Sequence, residues 1–203
     1  VYKRQGLSEL HREWGELEIS SEHLMRSVEL GEHAGLPDWP HRMCIGQARM
    51  KQIYGDWNGA LDLLRQAERR YHRIPIPDVF PVSALKARVM VAQGKQDEAL
   101  RSMRERGLPD TDDLSYLREF EHITLARVLI AQTISSQVSS GREGGSQVDN
   151  SALHEATTLL SLLLPLAEAG SRIGSIIDIL IAQAQAHRAQ GDKTAALIAL
   201  ERA

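Results

Sequence analysis

The sequence lacks nearly everything that would point to catalysis, export or membrane insertion. It has one cysteine, Cys44, among 203 residues, which excludes an internal disulfide and fits a reducing, cytoplasmic setting. Aromatic residues make up only 4% of the chain, so packing has to rest on Leu and Ala rather than on rings. No apolar run crosses a bilayer: Leu159 to Ala167 is too short, and Asp178 interrupts Ile176 to Ile181. The opening Val1-Tyr2-Lys3-Arg4-Gln5 runs straight into polar sequence with no signal peptide. The net charge of −3 lacks the basic excess of a nucleic-acid surface. There is no Gly-x-x-x-x-Gly-Lys-[Ser/Thr] loop for a nucleotide. No Ser/His/Asp, Cys/His or paired-carboxylate set recurs in register, and the eight histidines are scattered. They read as solvated surface. The chain is therefore expected to be no enzyme and to hold no cofactor.

What is present is a repeated turn. Tyr54-Gly55-Asp56-Trp57-Asn58-Gly59-Ala60-Leu61 sits between two amphipathic stretches, and copies follow at Gly94-Lys95-Gln96-Asp97-Glu98-Ala99 and Gly191-Asp192-Lys193-Thr194-Ala195-Ala196. A degenerate first copy lies at Trp14-Gly15-Glu16. The glycines at 15, 55, 94 and 191 are 40, 39 and 97 apart, and 97 is two periods of 39 plus a 19-residue excess. A fixed period of this length marks a repeat architecture. The glycine can take the left-handed conformation that ends one helix, and the following Asp can cap the next. An alanine five residues past the glycine (Ala60, Ala99, Ala196, with Ser20 in the first copy) lets paired helices approach closely. This spacing resembles the helix-turn-helix unit of tetratricopeptide repeats. The expected fold is an all-α, tetratricopeptide-like right-handed α-solenoid of about five helix pairs, one domain over residues 1–203.

In chain order the pattern predicts a first pair over 2–13 and 17–34, with Leu17, Leu24, Met25 and Val28 as its buried stripe. Gly35 stops it, and Asp38 is expected to cap the next helix, with Pro40 tolerated in its first turn. Further pairs are expected at 40–54 with 57–73, at 80–93 with 96–106, and at a helix introduced by residues 107–113 and running to about 132 with 152–169. The last, 172–190 with 192 onward, runs off the end. Residues 135–151, rich in Ser, Gly and Gln, read as a flexible insertion carrying most of the 19-residue excess. Pro165 is expected to kink or split its helix. Without an initiator Met and ending within a repeat, the chain reads as a piece of a longer protein.

Three stretches resemble a narrower group: Leu36-Pro37-Asp38-Trp39-Pro40, Asp112-Asp113-Leu114-Ser115-Tyr116-Leu117-Arg118-Glu119-Phe120-Glu121-His122, and Leu125-Ala126-Arg127-Val128-Leu129. They are similar to the repeat region of the large ATP-binding LuxR-family transcriptional regulators of the MalT type. That resemblance implies a sensor region, placed between a nucleotide-binding module and a DNA-binding one. It would take a small-molecule inducer or a peptide or protein partner in its concave groove, with self-association possible in the full protein. It implies no direct nucleic-acid or membrane contact by this chain. A general tetratricopeptide scaffold for protein–protein interaction is the alternative.

The period also aligns three dipeptides, Ala48-Arg49, Ala87-Arg88 and Ala126-Arg127, in the same phase of successive first helices. Gln185 stands in place of a fourth arginine, and Glu9 holds the position of the first repeat. If each alanine packs against its partner helix, the arginines face the groove. There, guanidinium forks suit carboxylate or phosphate, unless each is simply paired to an acid. Glu121 falls on the stripe of Leu117, Leu125 and Val128, so it is expected to point inward, with Arg88 or Arg127 as partner. Glu119-x-x-His122 has no second copy and is not read as a metal site. Trp39 and Tyr116 open their helices near the groove rim, where they either stack on a ligand or fill seams. The candidate binding residues are thus Arg49, Arg88, Arg127, Tyr116, Glu119, Glu121 and Trp39.

Overall fold

The computed structural model describes residues 1–71, 77–105, 114–139 and 151–203. Among them are ten α-helices and one 3-10 turn, and no strand. They fall into five hairpins: α1 (Tyr2–Glu13) with α2 (Leu17–Ala34), α3 (Trp39–Ile53) with α4 (Trp57–Arg69), α5 (Val82–Ala92) with α6 (Gln96–Glu105), α7 (Glu119–Ser139) with α8 (Ser151–Ala169), and α9 (Ile173–Ala189) with α10 (Lys193–Arg202). The hairpins gather into two compact units, Val1–Pro77 and Asp78–Ala203. In the first, α3 packs on both α1 and α2. In the second, α5, α7 and α9 pack side by side, with α6 and α8 behind them. This is the expected all-α, tetratricopeptide-like repeat fold. No helix among the described residues is long and apolar enough to cross a membrane.

The repeated turn closes as its residues require. Gly55 has φ +72°. Its N–H donates to the Gln52 carbonyl at 3.0 Å and the Asp56 N–H to the Lys51 carbonyl at 2.9 Å, the paired bonds of a left-handed helix stop. Asp56 then caps α4, accepting from the Gly59 N–H at 2.9 Å. Gly15, Gly94 and Gly191 repeat the conformation, and Asp192 repeats the cap on Ala195 at 2.9 Å. The turn between α8 and α9 uses the same two bonds, but its left-handed position is filled by Ser171, at φ +51°. Ala60, Ala99 and Ala196 are buried, as is Ser20, whose hydroxyl donates to the Ser8 carbonyl at 2.7 Å. Ala48, Ala87 and Ala126 are buried too, which fixes the phase of the first helices.

Several expectations need correction. Met25 is exposed while Leu24 joins the core with Met43 and Met50; position 24 and not 25 faces α3. Asp38 makes no cap bond. It is nearly buried and accepts instead from the Tyr2 hydroxyl at 2.5 Å, so its carboxylate ties α1 to the entry of α3. Helix α7 continues to Ser139 and α8 begins at Ser151, so both ends of the expected insertion are helical. Its remainder, 140–150, lies outside the described residues, as do Asp112 and Asp113 of the second family-like stretch. Helix α8 runs through Pro165 without being split. Two histidines are not solvated: His41 and His122 are buried, with His41 Nδ1 2.8 Å from the Ala67 carbonyl.

Candidate functional site

The arginines selected by the period do lie on the faces of first helices, and all three meet acids. In the first unit Arg49 of α3 bonds Glu9 of α1. Glu9 also accepts from Arg12 Nη2 at 2.7 Å, and Arg12 reaches Glu13 as well. Burial on its own would raise the Glu9 carboxyl, but Arg12 and Arg49 outweigh it and hold the group below the ordinary glutamate value. Burial lowers the Arg49 guanidinium, with Glu9 opposing; it stays charged at any physiological pH.

In the second unit Arg88 of α5 and Arg127 of α7 converge on Asp178 of α9. Arg88 Nη2 donates to Asp178 Oδ2 at 2.7 Å, and Arg127 bonds the other oxygen. Arg88 Nε donates to the Thr124 hydroxyl at 2.9 Å, and its guanidinium lies 4.1 Å over the Phe120 ring. Phe120 in turn meets Phe80 edge-on at 4.9 Å. One aspartate thus ties three parallel helices together. Sequence reasoning used Asp178 only as the charge that breaks an apolar run. A lone carboxylate inside the apolar run Ile176–Ile181 is the signal that it needs cationic partners.

Glu119 and Glu121 exchange their expected roles. Glu119 is the buried one, 3% exposed, and Arg172 binds it through two nitrogens, at 3.0 and 2.6 Å to the same oxygen. That bond raises the Arg172 guanidinium. Glu121 is partly exposed and pairs with Arg118, one turn away, at 3.0 Å. The partners of these carboxylates are Arg172 and Arg118, not the expected Arg88 or Arg127. Arg172, absent from the expected set, also lies 5.5 Å over the ring of Tyr116, which is 55% exposed. Trp39 fills a seam: its ring rests on Gly31, where a Cβ would come within 1.9 Å, and its Nε1 donates to the Ser27 carbonyl at 3.2 Å.

Beside the Asp178 cluster, within the second unit, lies a groove of about 470 Å³. Its apolar lining is Val91, Ile130, Ala131, Ile134 and Val138, and its polar lining includes Arg127, Gln185, Arg188 and Gln96. Arg127 and Gln185, the last two positions of the periodic series, therefore share one concavity. This size lies in the range of small-molecule sites.

No curated protein and no solved structure matches the chain. A family model does, over residues 4–203. The chain belongs to the family described as the MalT-like TPR region.

Proposed function

We propose that this chain is the effector-sensing, non-catalytic region of a cytoplasmic MalT-type LuxR-family transcriptional regulator, and that its effector site is the groove of the second unit. The supporting observation is the position of Arg127. One side of its guanidinium is tied through Asp178 to Arg88, and the same side chain lines the groove. A ligand taking up the other donors of Arg127 acts on a tie that joins α5, α7 and α9. Ligand occupancy and helix packing are thereby coupled through one residue, which is what a sensor needs.

The reading is tested by a metabolite panel in thermal shift against wild type and Arg127→Gln. A true effector at a hundred times its dissociation constant stabilises the wild type by about 2.7 kcal/mol, and the shift shrinks or vanishes in Arg127→Gln. Effectors that bind equally well to both proteins overturn it. A second reading, a scaffold for partner proteins, draws on Leu197, Ile198 and Leu200, apolar and exposed on α10. Partner binding abolished by Leu197→Asp and indifferent to Arg127 favours that one.

A further inference from the structure

The apolar strip of the groove is helical in spacing and open at one end. Ile130, Ile134 and Val138 stand four residues apart on one face of α7, and their exposure climbs from 1% to 38% to 78%. From Arg127 to Val138 this face is about 16 Å long. Hydrogen bonds hold both walls to α7. Gln132 donates to Asp97 Oδ1 of α6 at 2.8 Å, and Gln137 donates to the Ala189 carbonyl of α9 at 3.1 Å. The groove is therefore formed before anything enters it. Its two ends differ. At the first, Arg127 already meets Asp178. At the second, the Gln137 bond sets the last turn of α9, with Arg188, beside Val138. Arg188 is exposed and makes no ion pair among the described residues, and no Asp or Glu among them lines the groove. Helices α7 and α9 also end on this side, at Ser139 and Ala189, and a helix carries its negative dipole end there.

Resting on the reading that this groove is the effector site, we propose that its effector is a partner protein, docked through one amphipathic helix lying antiparallel along α7. Apolar anchors at i, i+4 and i+7 of such a helix repeat the one-turn spacing of the strip. A helix, about 10 Å wide, also covers a side chain that stands as far out as Val138. A small molecule confined to the cleft leaves that side chain wet. Charge sets the orientation. The N-terminal end of the incoming helix meets the C-terminal ends of α7 and α9 with favourable dipoles, and an acid in its first turn meets Arg188. Its other end then lies toward Arg127, whose tie to Asp178 carries the docking to α5 and α9.

The test is fluorescence anisotropy of the intact chain with two labelled, alanine-based helical peptides of about four turns, each with leucine at i, i+4 and i+7. One carries glutamate in its first turn and the other lysine. The glutamate peptide is expected to bind and to slow amide exchange over residues 130–138, and the lysine peptide to bind about fivefold more weakly. Arg188→Glu is expected to invert that preference, and Val138→Asp to weaken both peptides by about tenfold or more. Both side chains are exposed, so these variants keep the fold. The proposal is overturned if neither peptide binds, if Val138→Asp changes nothing, or if Arg188→Glu leaves the charge preference in place. Binding lost to Leu197→Asp instead moves the contact to α10 and overturns it as well. Arg127→Gln separates the docked helix from the sensor reading. Peptide binding that ignores Arg127→Gln keeps the helix and removes the sensing role of the groove. An Arg127-dependent metabolite with no peptide binding keeps the sensing role and removes the helix.

Discussion

Single residues set the turns, and the turns carry measurable strain. At Gly55 nothing lies within 4 Å of a would-be Cβ, so a substitution there is opposed by backbone conformation alone. Gly55→Val is expected to destabilise the protein by about 1–2 kcal/mol in urea unfolding. Ser171 occupies the same left-handed region at φ +51° without being glycine. Ser171→Gly is therefore expected to stabilise by about 0.5–1 kcal/mol, the relieved strain less the entropy that glycine adds to the unfolded chain. Equal stability of Ser171→Gly and wild type would mean the strain is already relaxed. Glu9 gives the pH dependence. Its carboxyl is lower in the folded state than in the unfolded one. Its contribution is then complete above the ordinary glutamate value and is lost as pH falls through the folded one. Glu9→Gln is expected to lower the urea midpoint at about pH 7, with the gap to wild type closing at about pH 3.

Helices are held at two places where local preference and packing disagree. Pro165 sits exposed inside α8, where it removes a backbone donor and crowds the carbonyl one turn back. The flanking Leu163, Leu164 and Ala167 are buried, and that burial carries the helix across the proline. Pro165→Ala is expected to stabilise by about 1–2 kcal/mol, the helix gain less the extra freedom of the unfolded chain; a lower urea midpoint would show that α8 is built around the proline. The Asp178 tie behaves differently from an isolated buried pair. Arg88→Ala removes bonds to Asp178 and Thr124 and the stacking on Phe120, but Arg127 still pairs the carboxylate. The expected loss is about 1–2 kcal/mol, not the larger penalty of an orphaned buried acid. A drop of 4 kcal/mol or more would show that Arg127 cannot hold Asp178 by itself.

For the whole molecule, stability in a repeat protein is a sum over hairpins and their neighbours rather than a property of one core. Leu64 is among the most buried side chains of the α3–α4 hairpin. Leu64→Ala is expected to cost about 3 kcal/mol, and hydrogen exchange should place the loss mainly in the amides of α3 and α4. Protection falling uniformly along all the described helices would instead mark a single cooperative core.

The sequence alone determined the hairpins and their phase. Positive-φ glycines, the caps at Asp56 and Asp192, and the buried alanines at 48, 87 and 126 act within a few residues of themselves, so period and composition reveal them. The partners of the arginines were another matter. Asp178 is 90 residues from Arg88, and Arg172 is 53 from Glu119. Nothing local links such residues. Their meeting depends on how far each helix is rotated about its axis. One residue turns a helix by about 100°, so taking Glu121 instead of Glu119 as the inward carboxylate turns the expectation by about 200°. Packing against α9 chose Glu119, because only that position puts its carboxylate against Arg172. The pairings around the groove were therefore settled by tertiary structure.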